Sequence, residues 1–98
     1  MHSFKVNASL QLIPIVNDKH PYQWVDEVIG VIIGSGIKYE VGSFATVVEG
    51  TYKDVMKLFD DINEYLLSKE CPEWICNLQM QIRNNSDITS EEKVTRFR

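Results

Sequence analysis

The sequence predicts an α+β domain of order β-α-β-β-α-β, in which two helices cover one face of a four-stranded antiparallel sheet. Three observations carry this. Strict alternation of apolar and polar residues marks both an early and a late segment of the 98-residue chain, and that period belongs to a half-buried strand. Two intervening segments repeat apolar residues at helical spacing on one side only. Between those two helices, a pair of short β-rich runs is separated by Gly42-Ser43, a hairpin signal.

The first alternation covers residues 4 to 12: Phe4, Val6, Ala8, Leu10 and Leu12 point one way, and Lys5, Asn7, Ser9 and Gln11 the other. Ile13, Pro14, Ile15 and Val16 extend it, with looser pairing because Pro14 has no N–H to donate. Residues 17 to 20 form a loop, and Pro21 suits the first turn of a helix. Trp24, Val25, Val28, Ile29, Ile32 and Ile33 make the first helical stripe, which Gly34-Ser35-Gly36 stops. Gly30 inside that helix costs about 1 kcal/mol against alanine, and close packing on the sheet is the expected reason for it. Residues 37 to 41 and 44 to 49 are the two hairpin strands. Thr51 is a suitable N-cap, and Asp54 three residues on approximates a capping box. Val55, Leu58, Phe59, Ile62 and Leu66 form the second stripe, ending near Ser68.

After a loop over residues 69 to 73 the last strand repeats the pattern of the first. Trp74, Cys76, Leu78, Met80 and Ile82 face one side, and Ile75, Asn77, Gln79, Gln81 and Arg83 the other. Thr89 with Glu92 is a second capping-box candidate, so residues 90 to 97 are predicted as a short terminal helix. Two one-sided helices alternating with four strands pack on one sheet face through right-handed crossovers. This is the ferredoxin-like arrangement, a class whose strand order is 4-1-3-2. First and last strands are then neighbours. Their outward residues form a face rich in Asn, Gln and Ser, where a merely solvated face carries more Lys and Glu. Such residues suit a subunit interface or a ligand platform.

Composition narrows the function. A chain that is 44% hydrophobic and 24% charged is a single globular domain by length and make-up. The net charge of −4 argues against a nucleic-acid partner, since phosphate neutralisation supplies most of that affinity, and it is compatible with a cationic small ligand. No apolar run reaches the roughly 18 to 20 residues of a membrane span. The N-terminal residues run into strand pattern without a charged leader and apolar core, so a cytoplasmic location is expected. Cys71 and Cys76 fit no zinc or redox spacing and are expected as reduced, partly buried thiols.

No catalytic machinery is legible. His2 and His20 have no cysteine or carboxylate at ligand spacing, so no metal site is expected. There is no Ser-His-Asp spacing and no nucleophile elbow, and Gly34-Ser35-Gly36 follows a helix where a phosphate loop would open one. The loop after the first strand lacks the arginine that acyl-phosphate hydrolysis would require. The first strand's outward positions lack the aromatics that bind RNA on such sheets. A protein without enzymatic activity and without a resident cofactor is expected.

The densest cluster of unusual residues spans positions 39 to 50. Phe44, Thr46 and Val48 share one face of the strand, and Ala45, Val47 and Glu49 the other; either choice of core face buries something polar or exposes something apolar. Thr46 is equally an ordinary strand former, and Glu49 equally an acid favouring the dipole of the helix that follows. Ser35-Gly36, the aliphatic-x-Tyr strand ending at Tyr39, and Thr46-Val47-Val48-Glu49-Gly50 resemble the small thiamine-binding protein family. Arg83 closes the last strand as a basic residue does in that family, and Lys93 matches a lysine in its terminal segment. The match runs nearly the whole chain, with Ala45 standing where a glycine is usual. The added methyl would crowd a ligand lying close to the backbone.

The resemblance implies a ferredoxin-like domain that binds thiamine or its hydroxymethylpyrimidine part. It implies Tyr39, Ser43, Phe44, Thr46, Glu49 and Arg83 as ligand-binding residues, and a homo-oligomer, a dimer of dimers in which sheets meet. The chemistry suits those positions. Hydroxyls of Ser43 and Thr46 can serve both the amine and the ring nitrogens of an aminopyrimidine. Glu49 can accept from the amine or complement the thiazolium cation, and Tyr39 or Phe44 can stack on a ring. The competing expectation is an oligomeric regulatory or adaptor module that senses another small metabolite.

Overall fold

In the computed structural model, which describes residues 2–95, β1 (Lys5–Pro14) runs through the middle of the sheet. It is followed by α1 (Pro21–Gly34), β2 (Lys38–Val41), β3 (Thr46–Thr51), α2 (Tyr52–Ser68), β4 (Trp74–Gln81) and a short α3 (Ser90–Val94). The strand order is β2-β3-β1-β4 with every neighbouring pair antiparallel. That is the expected ferredoxin-like order read from the other edge.

The periodicities of the sequence map onto the layers. Val6, Ala8 and Leu10 of β1 and Val48 of β3 turn inward with Trp24, Val28 and Ile32 of α1 and Val55, Leu58, Ile62 and Leu66 of α2. Burial of side chains of this kind contributes about 1.5–3 kcal/mol each relative to exposure. Thr51 caps α2 as expected, its Oγ1 accepting from the Asp54 N–H at 3.2 Å. α1 stops where Gly36 takes a φ of +77°, a conformation open to glycine at little cost.

Three expectations need correction. Gly30 is not held in close packing: a Cβ placed on it meets no atom within 4 Å, and the residue is exposed. The hairpin turn is not two residues. Val41 pairs with Thr46, so Phe44 and Ala45 belong to a four-residue loop over positions 42–45, closed by the Gly42 N–H donating to the Ala45 carbonyl at 2.9 Å. β4 ends at Gln81, leaving Arg83 beyond the ladder. The terminal helix is described over Ser90–Val94, and the expected extension to Phe97 lies outside the described residues.

The outer sheet face is not wholly bare, because α3 docks on one part of it. Asn7 and Glu49 face each other across β1 and β3 on that side. Asn7 Nδ2 donates to Ser90 Oγ at 2.6 Å, and the Ser90 N–H donates to Glu49 Oε1 at 2.9 Å. On the rest of the face Asn77, Gln79 and Gln81 are exposed as predicted, and Ser9 and Gln11 are half-buried.

Where α1 begins and α2 ends, Glu27 accepts from Lys19 Nζ and from the Tyr65 hydroxyl, the latter at 2.7 Å. The two hydrogen bonds hold the Glu27 carboxyl below its ordinary range, and the same carboxylate pushes the Tyr65 phenol up. Both cysteines are free thiols, and burial pushes each above its usual pKa.

Candidate functional site

The sequence left open whether Thr46 or Glu49 faces the core, and the register decides it. Thr46 pairs with Leu10 and Val48 with Ala8, on the helix-covered side; Glu49 pairs with Asn7 on the other. Both are nevertheless buried, at 6% exposure each. Thr46 sits at the mouth of the core and Glu49 lies beneath α3.

At the Thr46 end of β3 the loop over positions 42–45 overhangs α1. Between them is a cleft of about 90 Å³ lined by Leu10, Leu12, Val25, Val28, Ile29, Ser43, Phe44, Ala45, Thr46 and Cys76, among others. Its walls are mainly aliphatic, with the Ser43 and Thr46 hydroxyls and the Cys76 thiol as polar elements. An apolar pocket with a few converging polar groups is the usual form of a small-molecule site. Ser43 is exposed, and Phe44 stands out from the loop at 85% exposure. Gly42 makes this loop possible. A Cβ there would lie 2.7 Å from the Ala45 carbonyl oxygen that its own N–H bonds.

The six residues implied by the resemblance therefore fall into two groups. Ser43, Phe44 and Thr46 share the cleft. Tyr39, half-exposed, lies on the same side of the sheet but pairs with Val48, one step along the edge from the Val41–Thr46 pair. Glu49 and Arg83 are on the opposite side, and the sheet stands between them and the cleft. Glu49 caps α3, whose Ser90 N–H it accepts, and also pairs with Lys38 Nζ at 3.4 Å. These contacts tie its carboxylate to α3 and to β2. Arg83 Nη1 donates to the Asp87 carbonyl at 3.0 Å and Nη2 pairs with Glu92 at 3.2 Å, so it too holds the α3 segment.

Sequence reasoning missed Val25, Ile29, Leu12 and Cys76 as cleft residues, because their spacing is that of ordinary core positions. It also missed Lys38 and Ser90 as partners of Glu49. The capping-box signal located α3 but not the surface to which it docks. A second concavity, a polar groove of about 470 Å³, runs beside α3 on the outer face, between Asn7, Ser9, Val47, Gln79, Gln81 and Lys93. It includes none of the implied ligand residues. Among the described residues no cluster of three or more His, Cys, Asp or Glu could hold a metal ion. No helix among them is long and apolar enough to cross a membrane.

The family model for thiamine-binding protein matches residues 8–98. The chain belongs to the thiamine-binding protein family. A UPF0045 protein of Clostridium perfringens is 32% identical over 92 residues, covering 94% of this chain and 96% of that one. Among solved structures, a domain of unknown function, DUF77, from Bacillus cereus superposes with a TM-score of 0.90 at 28% identity, over 98% of this chain and 92% of the other. A proposed thiamine biosynthesis/salvage protein of Thermotoga maritima gives 0.86 at 32% identity, over 96% and 99%. In this member of the thiamine-binding protein family, the matched motif 46–50 straddles the sheet: Thr46 opens on the cleft and Glu49 anchors α3.

Proposed function

We propose that the protein is a non-catalytic, cytoplasmic binder of thiamine or its hydroxymethylpyrimidine part, and that the ligand occupies the cleft under the 42–45 loop. The observation that carries this is that Ser43 and Thr46 both line a mainly aliphatic pocket in a chain of the thiamine-binding protein family. Hydroxyls both donate and accept, matching the alternating amine and ring nitrogens of an aminopyrimidine. Aliphatic walls from α1 and β1 cover the ring faces, and Phe44 stands exposed on the loop at the mouth. Tyr39 flanks the site from the sheet edge, while Glu49 and Arg83 hold α3 on the opposite face of the sheet.

Calorimetric titration of the folded protein with hydroxymethylpyrimidine and with thiamine tests the reading; no heat from either at millimolar ligand overturns it. Thr46→Val keeps shape and removes one hydroxyl, so it weakens the bound ligand by about 1–2 kcal/mol.

The same proposal includes a homo-oligomer joined through the outer sheet face. Gln11 and Asn77 already bond across β1 and β4 at 3.2 Å, with exposed Ile13 and Ile75 beside them. A face that mixes amides with apolar side chains suits a second copy better than bulk water does. Light scattering at micromolar concentration reads the state directly. A multiple of the protomer mass is expected, and a clean monomer contradicts the assignment.

A further inference from the structure

Resting on the cleft as the ligand site, we propose that it admits a neutral heterocycle and discriminates against a cation. This chain then retains the aminopyrimidine half of thiamine in preference to the whole molecule. Thiamine carries a fixed positive charge on its thiazolium ring. Unlike an amine, that ring cannot shed a proton to enter an apolar site, so the full desolvation cost must be met by a counter-charge.

The cleft holds none. Among the described residues, those lining it are aliphatic or uncharged, with Ser43, Thr46 and Cys76 as its polar side chains besides the loop backbone, since the Gln11 amide bonds Asn77 on the outer face. The carboxylate that the family motif would bring to the cation, Glu49, is on the far side of the sheet, committed to the Ser90 N–H and to Lys38. Glu40 is on that far side as well, opposite Val47. Phe44 could offer a ring face to a cation, but at 85% exposure it stands in water, where such a contact is weak against the loss of hydration.

The 42–45 loop supplies one wall of the cleft. The Ala45 methyl, where a glycine is usual in the family pattern, narrows the same wall. A neutral aminopyrimidine meets no such penalty: its amine donates to a hydroxyl oxygen and its ring nitrogens accept from hydroxyl protons.

The test compares three probes on the unmodified protein: hydroxymethylpyrimidine, thiamine, and the uncharged analogue of thiamine in which a thiophene replaces the thiazolium. Thiamine is expected to bind at least about tenfold more weakly than the pyrimidine, with the thiophene analogue several-fold tighter than thiamine. A second measurement uses Ser43→Asp, which places a carboxylate on the exposed loop at the cleft mouth. It should raise the affinity for thiamine relative to the pyrimidine by about fivefold or more. Thiamine binding as tightly as the pyrimidine, the thiophene analogue matching thiamine, or an unchanged ratio in Ser43→Asp each overturns the inference while leaving the cleft as the site. Failure of all three probes to bind overturns the cleft reading itself, and with it this inference.

Discussion

Glu49→Ala lowers stability by about 2 kcal/mol and releases α3 from the sheet, while the affinity of the cleft for its ligand stays within about twofold. The carboxylate is almost fully buried, and one of its oxygens accepts from the Ser90 N–H at the start of α3. Truncation leaves that N–H without its acceptor beneath the helix and opens a void next to Asn7, which itself donates to Ser90 Oγ. Lys38 is mostly exposed and returns to water, so the loss of its ion pair adds little. α3 is only five residues long and cannot persist without its docking contacts. Denaturant titration measures the stability change, and hydrogen exchange should show the α3 amides losing protection before the β1 and β3 ladder. Glu49→Gln, which keeps an acceptor and removes the charge, falls between wild type and alanine. Loss of ligand binding with α3 still protected would place Glu49 in the ligand site and refute the division between the two sheet faces.

Gly42→Ala costs about 2 kcal/mol through local overpacking and weakens ligand binding at least about tenfold, because the loop that roofs the cleft must move. The new methyl would lie 2.7 Å from a backbone oxygen that cannot rotate out of the way. Relief requires either breaking the Gly42–Ala45 hydrogen bond or tilting the loop, and both displace Ser43 and Phe44. Thermal denaturation and calorimetry on the same sample separate the two effects. A variant with normal stability and normal affinity would mean that the loop is free to adapt and does not shape the site.

Much of the architecture was legible from periodicity. The alternations through β1 and β4 placed Val6, Ala8 and Leu10 inward and Asn77, Gln79 and Gln81 outward, where the structure has them. The α2 stripe of Val55, Leu58, Ile62 and Leu66 is the buried face of that helix. Capping signals at Thr51 and Thr89 both mark helix starts. These are local properties: the side-chain direction of a residue in a strand or helix follows from its own backbone geometry. The candidate site was half legible. Ser43, Phe44 and Thr46 converge as a contiguous loop and strand end must, whereas Glu49 and Arg83 were grouped with them only by motif.

The amino-acid order by itself determined the element sequence, the inward faces of β1 and β4 and the residue types available for chemistry near the hairpin. Three matters were decided only by the tertiary structure: the side of the sheet on which Thr46 and Glu49 lie, the surface that α3 covers, and the α1 residues that close the cleft. Each depends on pairing register or on contacts between segments far apart in the chain. A shift of one residue in β3 would exchange the two faces without altering any local pattern. The polar position that periodicity could not assign, Glu49, is buried because a helix some forty residues further along supplies its hydrogen-bond donor.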